Sequence, residues 1–460
     1  MLPDIRETIA ALSTAPGHGA IAIIRLSGKN AFEIASTFLH PNLALANPKT
    51  GRTYLLAVKN GDKLVDNAIV ALYKEPKSYT GENMAEIFCH GSPYIIQNII
   101  NLAVKNGARQ ASPGEFTMRA FLNGKIDLAQ AEAINDLILS ETESAHKNAM
   151  SQIYGSVSKK IKKLKEETVG ILAEIEARLD DSDGEIEELD LKNLLPAVEN
   201  LILETRKLSD SFENGKYIRH GIRIGIVGAP NSGKSSLLNA VLGRSRAIVS
   251  DIAGTTRDTV EEKLTISGFS VIFADTAGIN PDPKDALEVQ GMARTLEAIK
   301  SSDILLWVQD VSKPFGTEDE IVDKTIRQNA AAGARVIKVF NKTDLEAARP
   351  IERSNKNSFM VSCKTDRGIE NLKKNLLGFQ ENLFNHESSE IITSARHFQA
   401  LSNGLREISA LHKTLESGKF ELELAAEHLR CYLDGMALIT GETTPEEILA
   451  NIFEKFCVGK

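Results

Sequence analysis

The sequence predicts a multidomain fold: an α+β N-terminal domain, then an α-helical domain into which an α/β module is inserted. Three observations carry this. At 460 residues the chain exceeds what one compact core sustains, and about three domains is the natural partition. Apolar residues recur at helical spacing on both sides of a central stretch. Within that stretch β-like runs alternate with helical segments, the rhythm of a mostly parallel sheet.

Residues 1–118 mix short β-like runs, at 20–26 and 68–73, with turn clusters such as Pro16-Gly17 and Tyr79-Thr80-Gly81. This reads as an α+β domain. Across 119–215 the period turns helical. Val157, Ile161, Leu164, Thr168, Ile171, Ile175 and Leu179 fall at three- and four-residue steps, as one face of a long packed helix does. Pro196 belongs in the first turn of the next helix or at a break of that helix. Around Asn214-Gly215 the helical pattern stops. Residues 216–384 then present β-like runs at 222–227, 271–274, 304–308 and 336–340. Over 385–460 the helical period resumes through Phe398, Leu401, Leu405, Ile408, Leu411 and Leu415, and on to Ile452 and Phe456. The economical partition is one helical domain, 119–215 with 385–460, interrupted by the α/β module.

Charge and cysteine usage narrow the class. With 62 acidic and 54 basic residues the formal charge is −8, so attraction to nucleic acid needs a local basic patch. Cys89, Cys363, Cys431 and Cys457 are scattered without a C-x-x-C pair, which argues against a zinc cage or disulfide framework and suits a reducing cytosol. No apolar run approaches transmembrane length, and a cytosolic protein without a membrane partner is expected. Asp181-Ser182-Asp183-Gly184-Glu185 lacks the spacing of a Ca²⁺ loop. The run Lys159, Lys160, Lys162, Lys163 and Lys165 reads as a solvated helix face before it reads as a phosphate contact.

The chemistry concentrates in the α/β module. Gly228-Ala229-Pro230-Asn231-Ser232-Gly233-Lys234-Ser235 follows the apolar run at 222–227 and fits G-x-x-x-x-G-K-[ST]. Such a loop turns backbone N–H groups toward a phosphate chain, and the next helix adds its positive end. Lys234 reaches the β/γ-phosphates, while Ser235 ligates Mg²⁺. Asp275-Thr276-Ala277-Gly278 closes the run at 271–274, where the carboxylate holds Mg²⁺ through water and the Gly N–H approaches the γ-phosphate. Asn341-Lys342-Thr343-Asp344 closes the run at 336–340. Its Asp accepts both N1–H and N2–H of guanine, which adenine does not offer. Ser362-Cys363-Lys364 touches the base from the other side, and Gly254-Thr255-Thr256-Arg257-Asp258 lies where a switch loop brings a Thr to Mg²⁺. Asp275-Thr276-Ala277-Gly278 or Asn341-Lys342-Thr343-Asp344 alone is weak; in this order on strand ends the set indicates a P-loop (Ras-like) G domain that hydrolyses GTP.

The block Asp251-Ile252-Ala253-Gly254-Thr255-Thr256-Arg257-Asp258 and the loop around Asn231 resemble the TrmE-Era-EngA-like GTPases. The whole chain resembles the MnmE (TrmE) family of tRNA-modifying GTPases. Beyond the G motifs, Ser78-Tyr79-Thr80-Gly81-Glu82, Cys89-His90-Gly91, Pro113-Gly114-Glu115-Phe116-Thr117 and the final Cys457-Val458-Gly459-Lys460 carry the likeness. The family often reads G-R-G-G where this chain has Gly17-His18-Gly19-Ala20, and Asp where it has Glu7.

The resemblance implies a hydrolytic mechanism and a site. Small signalling GTPases place a water-orienting Gln after this Asp-Thr-Ala-Gly; here it is Ile279. MnmE-like enzymes instead use K⁺, which implicates Asn231, Ser250, Ile252 and Thr255, with Thr256 and Ser235 on Mg²⁺. The family often has Thr where Ser250 stands. Glu288 takes the place of the water-positioning Glu. The GTP contacts so implied are Asn231, Ser232, Gly233, Lys234, Ser235, Ser236, Ser250, Asp251, Ile252, Ala253, Gly254, Thr255, Thr256, Asp275, Thr276, Ala277, Gly278, Asn341, Lys342, Asp344, Ser362, Cys363 and Lys364.

For the N-terminal domain the resemblance implies dimerisation and a tetrahydrofolate derivative (5-formyl- or methylene-tetrahydrofolate), with Arg25, Glu86, Lys125 and Lys460 as folate contacts. Cations suit the carboxylate-bearing tail of that ligand, and a carboxylate accepts pterin N–H bonds. Cys457 is either a reactive thiolate near Lys460 or a small packing residue. The implied activity is that of a K⁺-stimulated GTPase that, with an FAD-containing partner, adds an aminomethyl-type (carboxymethylaminomethyl) group to C5 of the wobble uridine (position 34) of certain tRNAs, GTP hydrolysis itself not forming the new bond. The implied partners are a second copy of the chain, tRNA, and the FAD-containing MnmG (GidA) protein in a heterotetramer. The rivals are a ribosome-assembly switch without folate chemistry, which needs a basic RNA-binding module, and a membrane-remodelling GTPase, which needs a lipid-binding segment. Neither segment is evident.

Overall fold

The computed structural model describes residues 5–42, 49–180, 191–243, 261–266, 269–275, 286–348, 357–384, 390–417 and 421–460. The chain divides into two compact units: residues 1–139, 149–209 and 396–460 form the first, and 140–148 with 210–395 the second.

The first unit contains a seven-stranded sheet in the order β3-β4-β5-β6-β2-β1-β7. Its strands are β1 (Ile9–Leu12), β2 (Gly19–Ser27), β3 (Leu39–His40), β4 (Arg52–Asn60), β5 (Lys63–Tyr73), β6 (Met84–Gly91) and β7 (Arg109–Gln110). All pairs are antiparallel except β1 with β7. Period-two alternation decides the faces. Ala22, Ile24 and Leu26 of β2 are buried with Val70, Leu72 and Ile87 against helices α1 (Ala31–Ser36) and α2 (Pro93–Lys105). The same alternation sends Ile23 and Arg25 to the opposite face, which therefore carries side chains free for another purpose. There Leu55, Ile69, Phe88 and Ile23 form one cross-strand row, with Leu55 74% and Ile69 50% exposed.

Helices α3 (Glu115–Leu122), α4 (Leu128–Leu139), α5 (Glu143–Ile153), α6 (Ser156–Leu179) and α7 (Leu191–Asp210) follow the sheet. After the second unit the chain returns as α13 (Ala395–Glu416), α14 (Leu422–Thr440) and α15 (Glu446–Phe453). The expected stripe on α6 is buried at Val157, Ile161, Leu164, Thr168, Ile171 and Ile175, and α6 packs along α14. Tyr432 on α14 and Thr205 on α7 share a buried hydroxyl hydrogen bond of 2.6 Å. Pro196 lies inside α7, past its first turn, and the helix continues through it. Of the lysine run on α6, Lys160, Lys162, Lys163 and Lys165 pair with Glu204, Glu166, Glu167 and Glu442, so this face is balanced charge.

The second unit is built on a six-stranded sheet in the order β13-β12-β11-β8-β10-β9. Helix α8 (Phe212–His220) leads into β8 (Ile222–Gly228), α9 (Lys234–Leu242), β9 (Glu261–Ile266) and β10 (Phe269–Asp275). Then come α10 (Ala286–Ser301), β11 (Ile304–Asp310), α11 (Thr317–Asn329), β12 (Arg335–Asn341), β13 (Ser358–Met360) and α12 (Ile369–Phe384). Every pair is parallel except β9 with β10. Residues 304–309 of β11 are buried without alternation, as a strand covered on both faces must be. One core layer joins Leu237, Leu238 and Leu372 to the sheet, and the other joins Ile299, Val322 and Ile326 to it.

Two expectations from the sequence fail: Pro196 lies in the interior of α7 without breaking it, and the helical run continues past Asn214-Gly215. The helix does not stop at Asn214-Gly215: α8 runs through both to His220. Glycine weakens a helix, but here it serves a close approach to another segment.

Tyr432→Phe leaves the Thr205 hydroxyl without this buried partner and costs the first unit about 1–2 kcal/mol. The expected outcome is a lower denaturant midpoint by far-UV circular dichroism. Fluorescence of Trp307, the single Trp and part of β11, keeps its midpoint.

Candidate functional sites

In the second unit the loops after β8, β11, β12 and β13 meet at the C-terminal ends of parallel strands, where open α/β sheets place their ligands. The loop from β8 to α9 is forced by two glycines. A Cβ on Gly228 would lie 2.4 Å from the Val308 carbonyl oxygen, and one on Gly233 would lie 2.2 Å from Asn341 Nδ2, with φ at +97°. Asn231 between them is also left-handed, at φ +61°, and its side chain is exposed. These conformations turn the backbone toward one point at the start of α9, where the helix N–H groups favour an anion.

Lys234 opens α9 and is buried, with Nζ donating to the carbonyls of Gly228 at 3.2 Å and Ala229 at 3.0 Å. Its charge is thus held inside the loop rather than extended into solvent. Ser235 and Ser236 are exposed in the first turn. Ser232 is buried, and its Oγ makes no hydrogen bond.

Asn341 closes β12 and ties this loop to the opposite wall. Its Nδ2 donates to the Ser232 carbonyl at 3.0 Å, while its Oδ1 accepts the Cys363 N–H at 3.3 Å. Lys342, left-handed at φ +64°, donates to the Asn231 carbonyl at 3.0 Å and to Asp310 at 2.6 Å. Burial alone raises the Asp310 carboxyl; the bonds from Lys342 and Ser312 outweigh it and hold the group below its usual range. Asp344 is fully exposed, and the Ser362 hydroxyl donates to its Oδ1 at 2.7 Å and lowers its carboxyl. Burial pushes the Cys363 thiol up to about 11, so it stays neutral. Lys364 is exposed beside it.

The slot so formed has the Lys234 ammonium at one end and the exposed Asp344 carboxylate at the other. Asn231, Ser232, Gly233, Lys234, Ser235, Ser236, Asn341, Lys342, Asp344, Ser362, Cys363 and Lys364 all lie on its loops. Ser250, Asp251, Ile252, Ala253, Gly254, Thr255, Thr256, Thr276, Ala277, Gly278 and Ile279 lie outside the described residues. For Asp275, at the end of β10, and Glu288, in the first turn of α10, the backbone alone is described.

A second site lies on the outer face of the first unit's sheet. Arg25 and Glu86 are register partners, and Nε and Nη2 of Arg25 both donate to Glu86 Oε1, at 2.9 and 2.7 Å. The guanidinium lies 5.3 Å from the centroid of the Tyr79 ring and 5.5 Å from that of Phe116. Its Nη1 donates to the Gly459 carbonyl at 3.4 Å, and Ser13 Oγ donates to the same oxygen at 3.1 Å. Gly459 is required there: at φ +90° a Cβ would lie 2.0 Å from the Leu12 carbonyl. Segment 456–460 is held further by a bridge from Val458 to Pro113 and by Phe456, which packs on Met118 and Leu128.

Lys460 is brought beside Arg25, and burial followed by that neighbouring cation lowers its ammonium. Cys457 is exposed, and its carbonyl accepts the N–H of Gly114 and of Lys460. Lys125 donates to the Pro76 carbonyl at 3.0 Å, with its stem along Gly81. The structure therefore pairs Arg25 with Glu86, brings Lys460 near Arg25 and has Lys125 on the Pro76 carbonyl. The floor of Tyr79 and Phe116 was not anticipated from the sequence, although both fall in the motifs that carried the resemblance. Among the described residues no group of three His, Cys, Asp or Glu is placed to hold a metal ion, and no helix is long and apolar enough to cross a membrane.

Residues 8–125 match the family described as GTP-binding protein TrmE N-terminus, and residues 128–457 match the MnmE helical domain. A Flavobacterium johnsoniae protein named tRNA modification GTPase MnmE is 39% identical, over 99% of this chain and 99% of its own. Proteins of the same name from Christiangramia forsetii and Thermoanaerobacter pseudethanolicus are each 38% identical over 99% of this chain, covering 100% and 99% of their own lengths.

The expected reading of guanine by Asp344 carries a pH limit, because that carboxyl is lowered. An ionised carboxylate is required, so affinity is present above the lowered pKa and is lost as pH falls through it. Ser362→Ala removes the stabilising donor and moves that loss to higher pH. Guanine-nucleotide titrations carried down through the ordinary Asp range near about pH 4 and on to about pH 2.5 check the direction. An unchanged acid limb contradicts the assignment.

Proposed function

The chain belongs to the MnmE family of tRNA modification GTPases, and on that premise we propose that GTP hydrolysis in its second unit serves an addition at C5 of the wobble uridine of tRNA, made at a folate site in its first. The observation that carries this reading is the presence on one chain of both sites: the slot from Lys234 to Asp344, and the corner of Arg25, Glu86 and Lys460.

At the first site Lys234 and the N–H groups of Gly233 to Ser236 bind the phosphates, and Asp344 reads guanine. Ser235, exposed at the helix start, fits an oxygen ligand for Mg²⁺, joined in our reading by Thr256 and, through water, Asp275. Exposed Asn231 supplies a neutral oxygen suited to K⁺, with Ser250, Ile252 and Thr255. When bound, these cations offset charge that grows on the phosphate oxygens. Glu288 orients the attacking water.

The folate site fits a ligand that carries carboxylates and a flat ring. Arg25 and Lys460 place two cations together, with Lys125 as a third near by, and Glu86 offers Oε2 for ring N–H donors. Tyr79 and Phe116 supply apolar faces. Tetrahydrofolate, when bound, would supply the one-carbon unit, and Cys457 would present an exposed thiol on the docked tail segment as a candidate catalytic group. In this reading the folate domain spans 1–118, the helical domain 119–215 and 385–460, and the G domain 216–384.

The exposed apolar row of Leu55 and Ile69 supports a homodimer through the first unit. FAD-containing MnmG (GidA) joins it in a heterotetramer on tRNA in the cytoplasm.

Nucleoside analysis of tRNA from cells lacking the protein tests the function: the wobble-uridine derivative disappears, and an Arg25→Ala copy, deficient in tetrahydrofolate binding, does not restore it. Unchanged modification in the deletion strain sinks the proposal. The cation assignment is checked by turnover: hydrolysis is faster in K⁺ than in Na⁺ by about tenfold or more, a range typical of one transition-state charge contact, and Asn231→Ala abolishes the difference. Equal rates in both salts contradict it.

A further inference from the structure

Where the chain enters and leaves the second unit, it is pinned to itself. The N–H of Ile392 donates to Ser211 Oγ at 3.0 Å. One turn further along α8, a Cβ on Gly215 would lie 1.8 Å from the Ile392 carbonyl oxygen, 2.7 Å from its carbon and 3.2 Å from Ile391 Cγ2. The outgoing segment 390–394 thus crosses α8 in contact with its backbone. Gly215 lies in a helix interior, where glycine costs about 1 kcal/mol relative to alanine. The crossing accounts for it, because no larger residue leaves room for that carbonyl.

Each strand of this crossing is anchored a few residues away in the first unit. On the ingoing side Thr205 bonds Tyr432. On the outgoing side Arg396 bonds Glu132 at 3.1 and 2.8 Å and the Ile439 carbonyl at 3.2 Å, while His397 lies 2.7 Å from the same carboxylate. Four residues separate Ile392 from Arg396, a span of at most about 14 Å. There is little slack. Toward the nucleotide, α8 passes into β8, which ends in the phosphate loop, and Gly221 between them sits against β10, where a Cβ would lie 2.8 Å from the Ser270 carbonyl.

We propose that Ser211 and Gly215 are positioning residues that couple GTP hydrolysis to tRNA modification, by clamping segment 390–394 onto α8 so that both chain junctions move as one body. The inference rests on the function proposed above. A displacement of β8 reaches α8 through one residue, the clamp carries it to the outgoing segment, and Arg396 carries it to Glu132 and the C-terminal end of α14. With the clamp broken, α8 moves and the outgoing segment does not follow.

The test uses the full-length protein in a strain lacking its own copy, with GTP turnover measured on the purified variants and wobble-uridine modification measured in the cells. Gly215→Ala is expected to hydrolyse GTP within about twofold of the parent while modification falls about tenfold, inside the usual range of coupling between sites. Ser211→Ala falls in the same direction by less, and Ser211→Thr, which keeps the hydroxyl, restores the parent value. Full modification in Gly215→Ala overturns the clamp, as does an equal fall in turnover and modification, which marks a folding defect. Lys234→Ala separates this from failure of the broader reading. If that variant loses GTP turnover and still modifies tRNA, hydrolysis is not coupled and both ideas fall; if it loses modification while Gly215→Ala does not, the clamp alone falls.

Discussion

The buried amide of Asn341 uses both of its ends, donating to the Ser232 carbonyl and accepting the Cys363 N–H, and the nucleotide site depends on that joint. A phosphate loop and a base-recognition loop are useful only at a fixed separation, and each is a surface segment without regular structure. A buried polar group that loses one partner pays the full desolvation cost, so the amide penalises any relative drift of the two loops. Gly233 makes the contact possible, since a side chain there would occupy the position of Nδ2. Lys342 adds a second strut through Asn231 and Asp310, and this strut reaches the residue we propose for K⁺.

The first unit solves the same problem with a segment docked from far along the chain. Segment 456–460 lies against β1, β2 and the start of α3 through the Gly459 carbonyl, the Val458 bridge and the Phe456 ring. It thereby places Lys460 beside Arg25, a like-charge approach that burial makes costlier and that the Glu86 carboxylate paired with Arg25 offsets. Two cations held together in this way are poised for an anionic ligand. Beneath them, the buried ion network of Glu115 with Arg109 and Arg119, and of Arg119 with Glu82, fixes α3 and the turn that carries Tyr79. Removing a single member of such a network leaves a buried charge uncompensated, so its residues act as a set.

Much of this was legible in the sequence wherever the chemistry is local. The phosphate loop is contiguous because successive N–H groups must face one ligand, and Gly228-to-Ser235 announces itself for that reason. The strand runs at 222–227 and 304–308 were legible because burial on both faces leaves no alternation. The stripe on α6 was legible from its period. Gly215 was misread as a helix stop, since a glycine demanded by a passing carbonyl looks the same in sequence as one that ends a helix. The lysine run on α6 was ambiguous for a like reason: its partner Glu204 is supplied by α7 and Glu442 by the turn after α14.

By itself the sequence determined the kinds of elements, the guanine nucleotide chemistry of its motifs and the resemblance that named the family, because all three reside in short spacings and side-chain types. Only the tertiary structure decided which distant groups share a site. Asn341 lies 109 residues from Ser232, Arg25 lies 434 from Gly459, and Ser211 lies 181 from Ile392. Contacts over such separations are set by how sheets and helices pack. No spacing rule within a single segment encodes that packing.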